Sequence, residues 1–195
     1  MHMAAPSIGK ARDELDDMTL ARAKHGDQAA FQQLVETYQD AVFRLLWRVL
    51  GYRARCELVE DLAQDSFIGV YRSLSRFSTE GPARLSTWIL TIASRTALKE
   101  LRKPQIFEAS LEDLDGLLAA DRTDQRAEHR AFAAALRRSL ESVRPEWRLV
   151  FVLREYHDLE YEEIARALDL DLGTVKSRLA RARIQVRDDL KEFQP

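Results

Sequence analysis

Along most of the chain, apolar residues return at spacings of three and four, the period of a helix with one buried face. The clearest run is Phe31, Leu34, Val35, Tyr38, Val42, Leu45, Leu46 and Val49, with Asp27 standing where a cap would. Ahead of it the pattern predicts a helix over about 15–25 that stops at Gly26-Asp27, and Gly51-Tyr52-Arg53 breaks the long one. A third helix is expected over about 57–76, followed by a loop with Gly81-Pro82. A fourth covers about 86–103 and ends at Pro104. The period lapses and then resumes over about 125–143. Pro145 suits the first turn of a helix reaching Tyr156, and two more helices, Tyr161–Leu168 and about 173–192, follow. Nowhere do β-branched residues alternate over the length of a strand between turn signals. The fold class is all-α.

Composition sharpens this picture. Of 195 residues only 7 are Gly and 5 Pro, which favours helices over a turn-rich sheet, and a hydrophobic share of 46% excludes wholesale disorder. From Gln105 to Asp124 there are six acids (Glu108, Glu112, Asp113, Asp115, Asp121, Asp124) against one base, Arg122. That stretch is read as a linker, with a short helical turn near 111–118. The organisation is therefore a flexible tail at 1–12, a helical domain at 13–103, an acidic linker at 104–124 and a second helical domain at 125–193.

Lys and Arg number 30 and Asp and Glu 32, a formal net charge of -2. A surface that is basic all over is thereby excluded, so any contact with nucleic acid must come from a local stripe. One cysteine, Cys56, rules out an internal disulfide framework and a Cys-rich zinc site. The four histidines have no ligand spacing, so no metal or cofactor is expected. No apolar run approaches the roughly 18 residues of a membrane span, and the first residues lack the pattern of a signal peptide. The expectation is a cytoplasmic protein without membrane insertion.

Three helical faces carry chemistry. In the last helix Val175, Leu179, Ala182 and Val186 share one arc, while Lys176, Ser177, Ala180 and Arg181 share the opposite one. Residues 173–187 hold five bases and no acid. A short helix, a tight turn at 169–172 and a basic second helix form a helix-turn-helix, whose second helix enters the major groove. The alternative is a solvated basic helix on an ordinary bundle. In the third helix Val59, Leu62, Ala63, Ser66, Val70, Leu74 and Phe77 make a core stripe, and the other side presents Asp61, Gln64, Asp65, Ile68, Tyr71 and Arg72. Ile and Tyr among carboxylates suit a protein contact; packing on a neighbouring helix is the plainer reading. The fourth helix and its preceding loop mix rings and cations, namely Phe77, Arg84, Trp88, Arg95, Lys99, Arg102 and Lys103. That mixture suits unpaired bases, with core packing of the rings as the alternative.

Taken in order, these segments resemble the extracytoplasmic-function (ECF, group IV) RNA polymerase sigma factors of bacteria. The similarity rests on Val59-Glu60-Asp61-Leu62-Ala63-Gln64-Asp65-Ser66-Phe67, on Leu85-Ser86-Thr87-Trp88-Ile89 with Ile92-Ala93 and Arg102, and on Tyr161-Glu162-Glu163-Ile164-Ala165 with Gly173-Thr174-Val175-Lys176-Ser177-Arg178-Leu179. The resemblance implies a σ2-type and a σ4-type domain. It implies contact with the β′ clamp helices of core polymerase through Asp61, Gln64, Asp65, Ile68, Tyr71 and Arg72, and with the β flap. For the −10 element it implies Phe77, Ser78, Arg84, Trp88, Arg95 and Lys99. For the −35 element it implies Thr174, Lys176, Ser177, Arg178, Ala180, Arg181 and Arg183, with Arg178 and Arg183 suited to phosphates or packing. It further implies a linker threading the core enzyme, no catalysis by the chain itself, a stress-response role and control by an anti-sigma factor. The chain given closes two residues after Phe193, so regulation is expected from such a partner rather than from an appended domain.

Three departures stand out. Arg95 occupies a place where the family often has Asn, beside the base flipped from the −10 element, and Lys99 one where Asp is frequent. A guanidinium offers donors only, so Arg95 is expected to favour an acceptor-rich base such as guanine, or to hold a phosphate. Asp169 and Asp171 stand where Gly and Pro are usual in the turn; Asp tolerates a left-handed backbone and can cap a helix. The rival class is a conventional LuxR-like regulator binding duplex operator DNA, which leaves the Asp61–Ile68 face without a role.

Overall fold

The computed structural model describes residues 14–103 and 124–191, which are helical and contain no strand. Residues 1–12 and the acidic linker, including the turn expected near 111–118, lie outside the described residues, apart from Asp124 at the start of a helix.

The first unit holds α1 (Asp17–Lys24), α2 (Gln28–Leu50), α3 (Cys56–Ser73) and α4 (Leu85–Leu101). Asp16 caps α1 by accepting from the Thr19 amide at 2.9 Å. Asp27 caps α2 through Ala30 and also holds Arg22 at 2.6 Å. Both carboxyls sit below the usual range, Asp16 through its bonds to Thr19 and Asp27 through the Ala30 amide and then Arg22. Along α2 the residues Ala30, Leu34, Tyr38, Val42, Leu45, Leu46, Val49 and Leu50 are buried and pack against α1, α3 and α4. Two members of the expected stripe, Phe31 and Val35, are only half-buried. Tyr38 receives the Leu15 amide on its hydroxyl, and burial pushes its phenol up to about 12. A 3-10 turn at Gly51–Arg53 ends α2 where the sequence breaks it, and another at Leu74–Arg76 finishes α3. Arg53 donates to the Glu100 and Leu101 carbonyls, satisfying acceptors that the end of α4 leaves open.

The second unit holds α5 (Asp124–Ser142), α6 (Pro145–Glu155), α7 (Tyr161–Leu168) and α8 (Leu172–Asp189). Pro145 occupies the first turn of α6 as expected. A reciprocal capping box between Glu160 and Glu163 opens α7. Asp169 then takes a left-handed φ of 54° at its end. Asp171 caps α8, accepting from the Thr174 amide at 2.7 Å and from its hydroxyl, and these bonds hold the carboxyl below its ordinary value. Removing this cap by Asp171→Ala is expected to lower the melting temperature, whereas Asp171→Asn, which keeps an acceptor, restores most of it. Circular dichroism of the two variants checks the assignment.

The two units pack against each other, α6 on α2 and α4, and α7 on α4. Arg148 of α6 is 1% exposed, and its guanidinium lies where a side chain at Gly51 would stand. Gly51 has a φ of 60°, so glycine serves both the turn and this close approach. The Arg48 guanidinium stands 4.2 Å over the Tyr156 ring, and the Thr87 hydroxyl donates to Glu163 at 3.3 Å. Among the described residues no helix is long and apolar enough to cross a membrane.

Candidate nucleic-acid and protein interfaces

On α3 the two faces separate as the period requires. Val59, Leu62, Ala63, Ser66, Phe67 and Val70 are buried, with Leu74 and Phe77 continuing the stripe beyond the helix. Asp61, Gln64, Asp65, Ile68, Tyr71 and Arg72 are all exposed, Ile68 at 40% and Tyr71 at 54%. Beside them α2 contributes Phe31, Val35 and Phe43 to a shallow groove of about 410 Å³ whose floor includes Ala63 and Phe67. The Tyr71 ring meets Phe31 edge-on at 5.0 Å, and Phe43 is 37% exposed. The result is a two-helix surface with an apolar trough beside the exposed Asp61 and Asp65.

On α8 the residues Val175, Leu179, Ala182 and Val186 are buried, and Lys176, Ala180 and Arg181 are exposed on the opposite arc. Ser177 is half-buried, with its hydroxyl on the Thr174 carbonyl. Thr174 is tied to Asp171, and Arg178 is half-buried. Arg183 points elsewhere: it forms a two-donor bond to Glu155 of α6, at 2.9 and 2.6 Å. Burial works against its charge, and Glu155 together with the Tyr161 hydroxyl more than offsets this, so its pKa stands above the ordinary value. Its Nε and Nη2 donors are thus both directed at one carboxylate, while the side chain as a whole stays 47% exposed.

The loop and helix around α4 are less uniform. Phe77 is 8% exposed, with its ring 5.1 Å from Trp88 and its carbonyl accepting from Lys24 at 2.7 Å. This corrects the expectation of a ring open to bases: Phe77 completes the core and supports the half-buried Trp88. Ser78 is exposed and accepts from the Glu80 amide inside a turn. Arg84, Arg95 and Lys99 are exposed, the last two one helical turn apart.

The sigma-70 region 2 family matches residues 34–105, and the sigma-70 region 4 family matches residues 133–186. Among curated proteins the chain is 32% identical over 180 residues to the RNA polymerase sigma-H factor of Pseudomonas aeruginosa, covering 87% of this chain and 91% of that one. The ECF RNA polymerase sigma-E factor of Haemophilus influenzae is 32% identical over 92% of this chain and 97% of its own. The chain belongs to the ECF family of RNA polymerase sigma factors. The ECF RNA polymerase sigma factor SigE of Mycolicibacterium smegmatis is 36% identical over 85% of this chain, which spans 64% of that longer protein. Among solved structures, CnrH in complex with the cytosolic domain of CnrY aligns with a TM-score of 0.62 at 24% identity, over 91% of this chain and 97% of that one. The sigma factor RpoE of Bartonella quintana, solved with the anti-sigma factor NepR, aligns with a TM-score of 0.63 at 20% identity, over 83% and 96%. Both likenesses concern the fold.

In this ECF chain several contributors escaped the sequence reading. Phe43 lies off the α2 core stripe, and a lone aromatic on an otherwise polar face is the signal that could have found it. His157 was noted only for lacking metal-ligand spacing. It follows α6 and faces α2, its Nε2 fully buried and without a hydrogen-bond partner. Burial first, then Arg48 and Arg44, push its pKa down to about 4. The unfolded chain takes up this proton near 6.5, so between 6.5 and 4 it binds protons that the folded chain refuses. Stability is complete above about pH 6.5 and falls as the pH drops, by up to about 3 kcal/mol from this group. His157→Gln is expected to flatten that part of the curve of melting temperature against pH.

Proposed function

We propose that this ECF sigma factor docks on core RNA polymerase through the α3 face, Asp61, Gln64, Asp65, Ile68, Tyr71 and Arg72, together with the α2 side of the groove. The β′ clamp helices are the partner on this face, and the β flap is the partner of the 125–193 unit. Unpaired −10 bases are captured by the 13–103 unit through Trp88, Arg84, Arg95 and Lys99, with Ser78 in the supporting turn. The −35 duplex is read by α8 through Lys176, Ser177, Ala180 and Arg181, while Thr174 and Arg178 flank that face. The 104–124 linker joins the two units. Extruding a base costs a few kcal/mol, recovered by stacking and by a pocket.

The observation that carries this reading is the division of α3. One side is core, and the other places exposed apolar residues among carboxylates beside a preformed trough. A regulator acting on duplex DNA alone has no use for such a face.

As an alternative sigma factor the chain directs core polymerase to promoter elements. The polymerase performs the chemistry, and the chain is not itself an enzyme. It acts in the cytoplasm, where its partners are core polymerase, promoter DNA and an anti-sigma factor. Gel filtration with core polymerase tests the docking: the chain is expected to comigrate with core. A chain that elutes apart from core and binds duplex DNA as a dimer would instead favour a conventional regulator.

A further inference from the structure

Two arginines two residues apart on α8 are held in different ways. Arg183 is engaged by a carboxylate, so its charge is balanced and its donors are in use. Arg181 rests on a ring: its guanidinium carbon lies 5.4 Å from the centre of the Trp147 indole of α6. Among the described residues no carboxylate pairs with it. A ring face restrains a guanidinium without spending its hydrogen-bond donors or its charge. The same indole carries a second cation, Arg144, at 5.2 Å. Arg144 and Arg181 are both exposed, and Trp147 is half-buried and packed against the core. Two guanidinium groups around one ring repel each other, and a polyanion lying against them relieves that repulsion.

We propose that Trp147 is a positioning residue for −35 readout, holding the Arg181 guanidinium ready for a base edge, and that Arg144 extends the promoter interface onto α6 as a phosphate contact. This rests on the assignment of the outer face of α8 to the −35 element. A long Arg side chain loses considerable rotamer freedom when it docks. The indole removes part of that freedom before DNA arrives, so base discrimination by Arg181 depends on a residue outside the helix-turn-helix.

The test uses holoenzyme formed from core polymerase and the full chain, on promoters matched or base-substituted in the −35 element. The readout is the ratio of transcription between the two. Trp147→Leu fills the site without a π face, and Trp147→Phe keeps a ring. Loss of the cation–π restraint is expected to lower discrimination about two- to fivefold in Trp147→Leu, at the same base positions that Arg181→Ala affects. Trp147→Phe should retain most of it, and adding Trp147→Leu to Arg181→Ala should cost nothing further. Arg144→Ala should lower binding on all sequences alike and make the dependence of log K on log salt shallower by about one unit. If Trp147→Leu discriminates as well as the parent while Arg181→Ala does not, the positioning role is wrong and the −35 reading stands. Equal loss in the Leu and Phe variants also overturns it, since packing then explains the effect. If Arg181→Ala itself keeps full discrimination, the −35 reading fails and the inference falls with it.

Discussion

Replacing Asp61 and Gln64 together by Ala is expected to abolish comigration with core polymerase while leaving helix content and melting temperature nearly unchanged. Both side chains are exposed on the side of α3 opposite the buried Val59, Leu62, Ser66 and Val70. Neither supports the fold through a hydrogen bond found in the structure, so truncation removes surface chemistry and leaves the core alone. At a docking face the polar groups beside an apolar trough contribute most when desolvated by the partner. Two such losses amount to about 3–4 kcal/mol, several-hundred-fold in affinity. Ile68 and Tyr71 remain to bury apolar surface, which predicts that residual binding returns at high protein concentration. Undiminished transcription by the double variant would remove the docking face from the account.

Arg181→Ala is expected to cost about 1–3 kcal/mol of −35 recognition, concentrated on particular bases, as for a bidentate contact to guanine O6 and N7. Arg183→Ala provides the contrast. From sequence, Arg183 was open to phosphate contact, and its removal would then weaken every promoter alike. The Glu155 pair instead predicts a small loss of stability, about 0–1 kcal/mol for so exposed a bridge, with base preference unchanged. Filter binding or transcription across a panel of −35 variants separates the two. Equal weakening by Arg181→Ala on every variant would take the readout role away from it.

The helices, their order and the split of α3 and α8 into core and outer faces were legible because period and caps are local properties. Asp171 and Asp169 took the capping and left-handed roles that their chemistry allowed. What was not legible depends on residues distant in sequence. Phe31 and Val35 share the α2 spacing with buried residues, yet line a groove between α2 and α3 and stay half-buried. Phe77 and Trp88 looked alike as rings beside cations, and only the packing of α1 and α3 decides that Phe77 is core. The Arg183–Glu155 pair and the Trp147–Arg181 contact join α6 to α8 across 28 and 34 positions, and no spacing rule reaches that far. Nothing local marks Arg148 or His157 for burial, which comes from the end of α2: Gly51 lies against Arg148, and Arg44 and Arg48 face His157.

Transcription with purified core polymerase, with and without this chain, from a template library randomised upstream of the start site shows whether one chain joins a core-polymerase docking face to two separate promoter-reading faces. Transcripts are expected only with the chain present, and they should select a two-part motif at fixed spacing. Arg181→Ala should alter only the upstream part, and Arg95→Asn only the downstream part or the overall yield. Absence of chain-dependent transcripts, or enrichment of a single duplex operator bound by the chain without core, would contradict that arrangement.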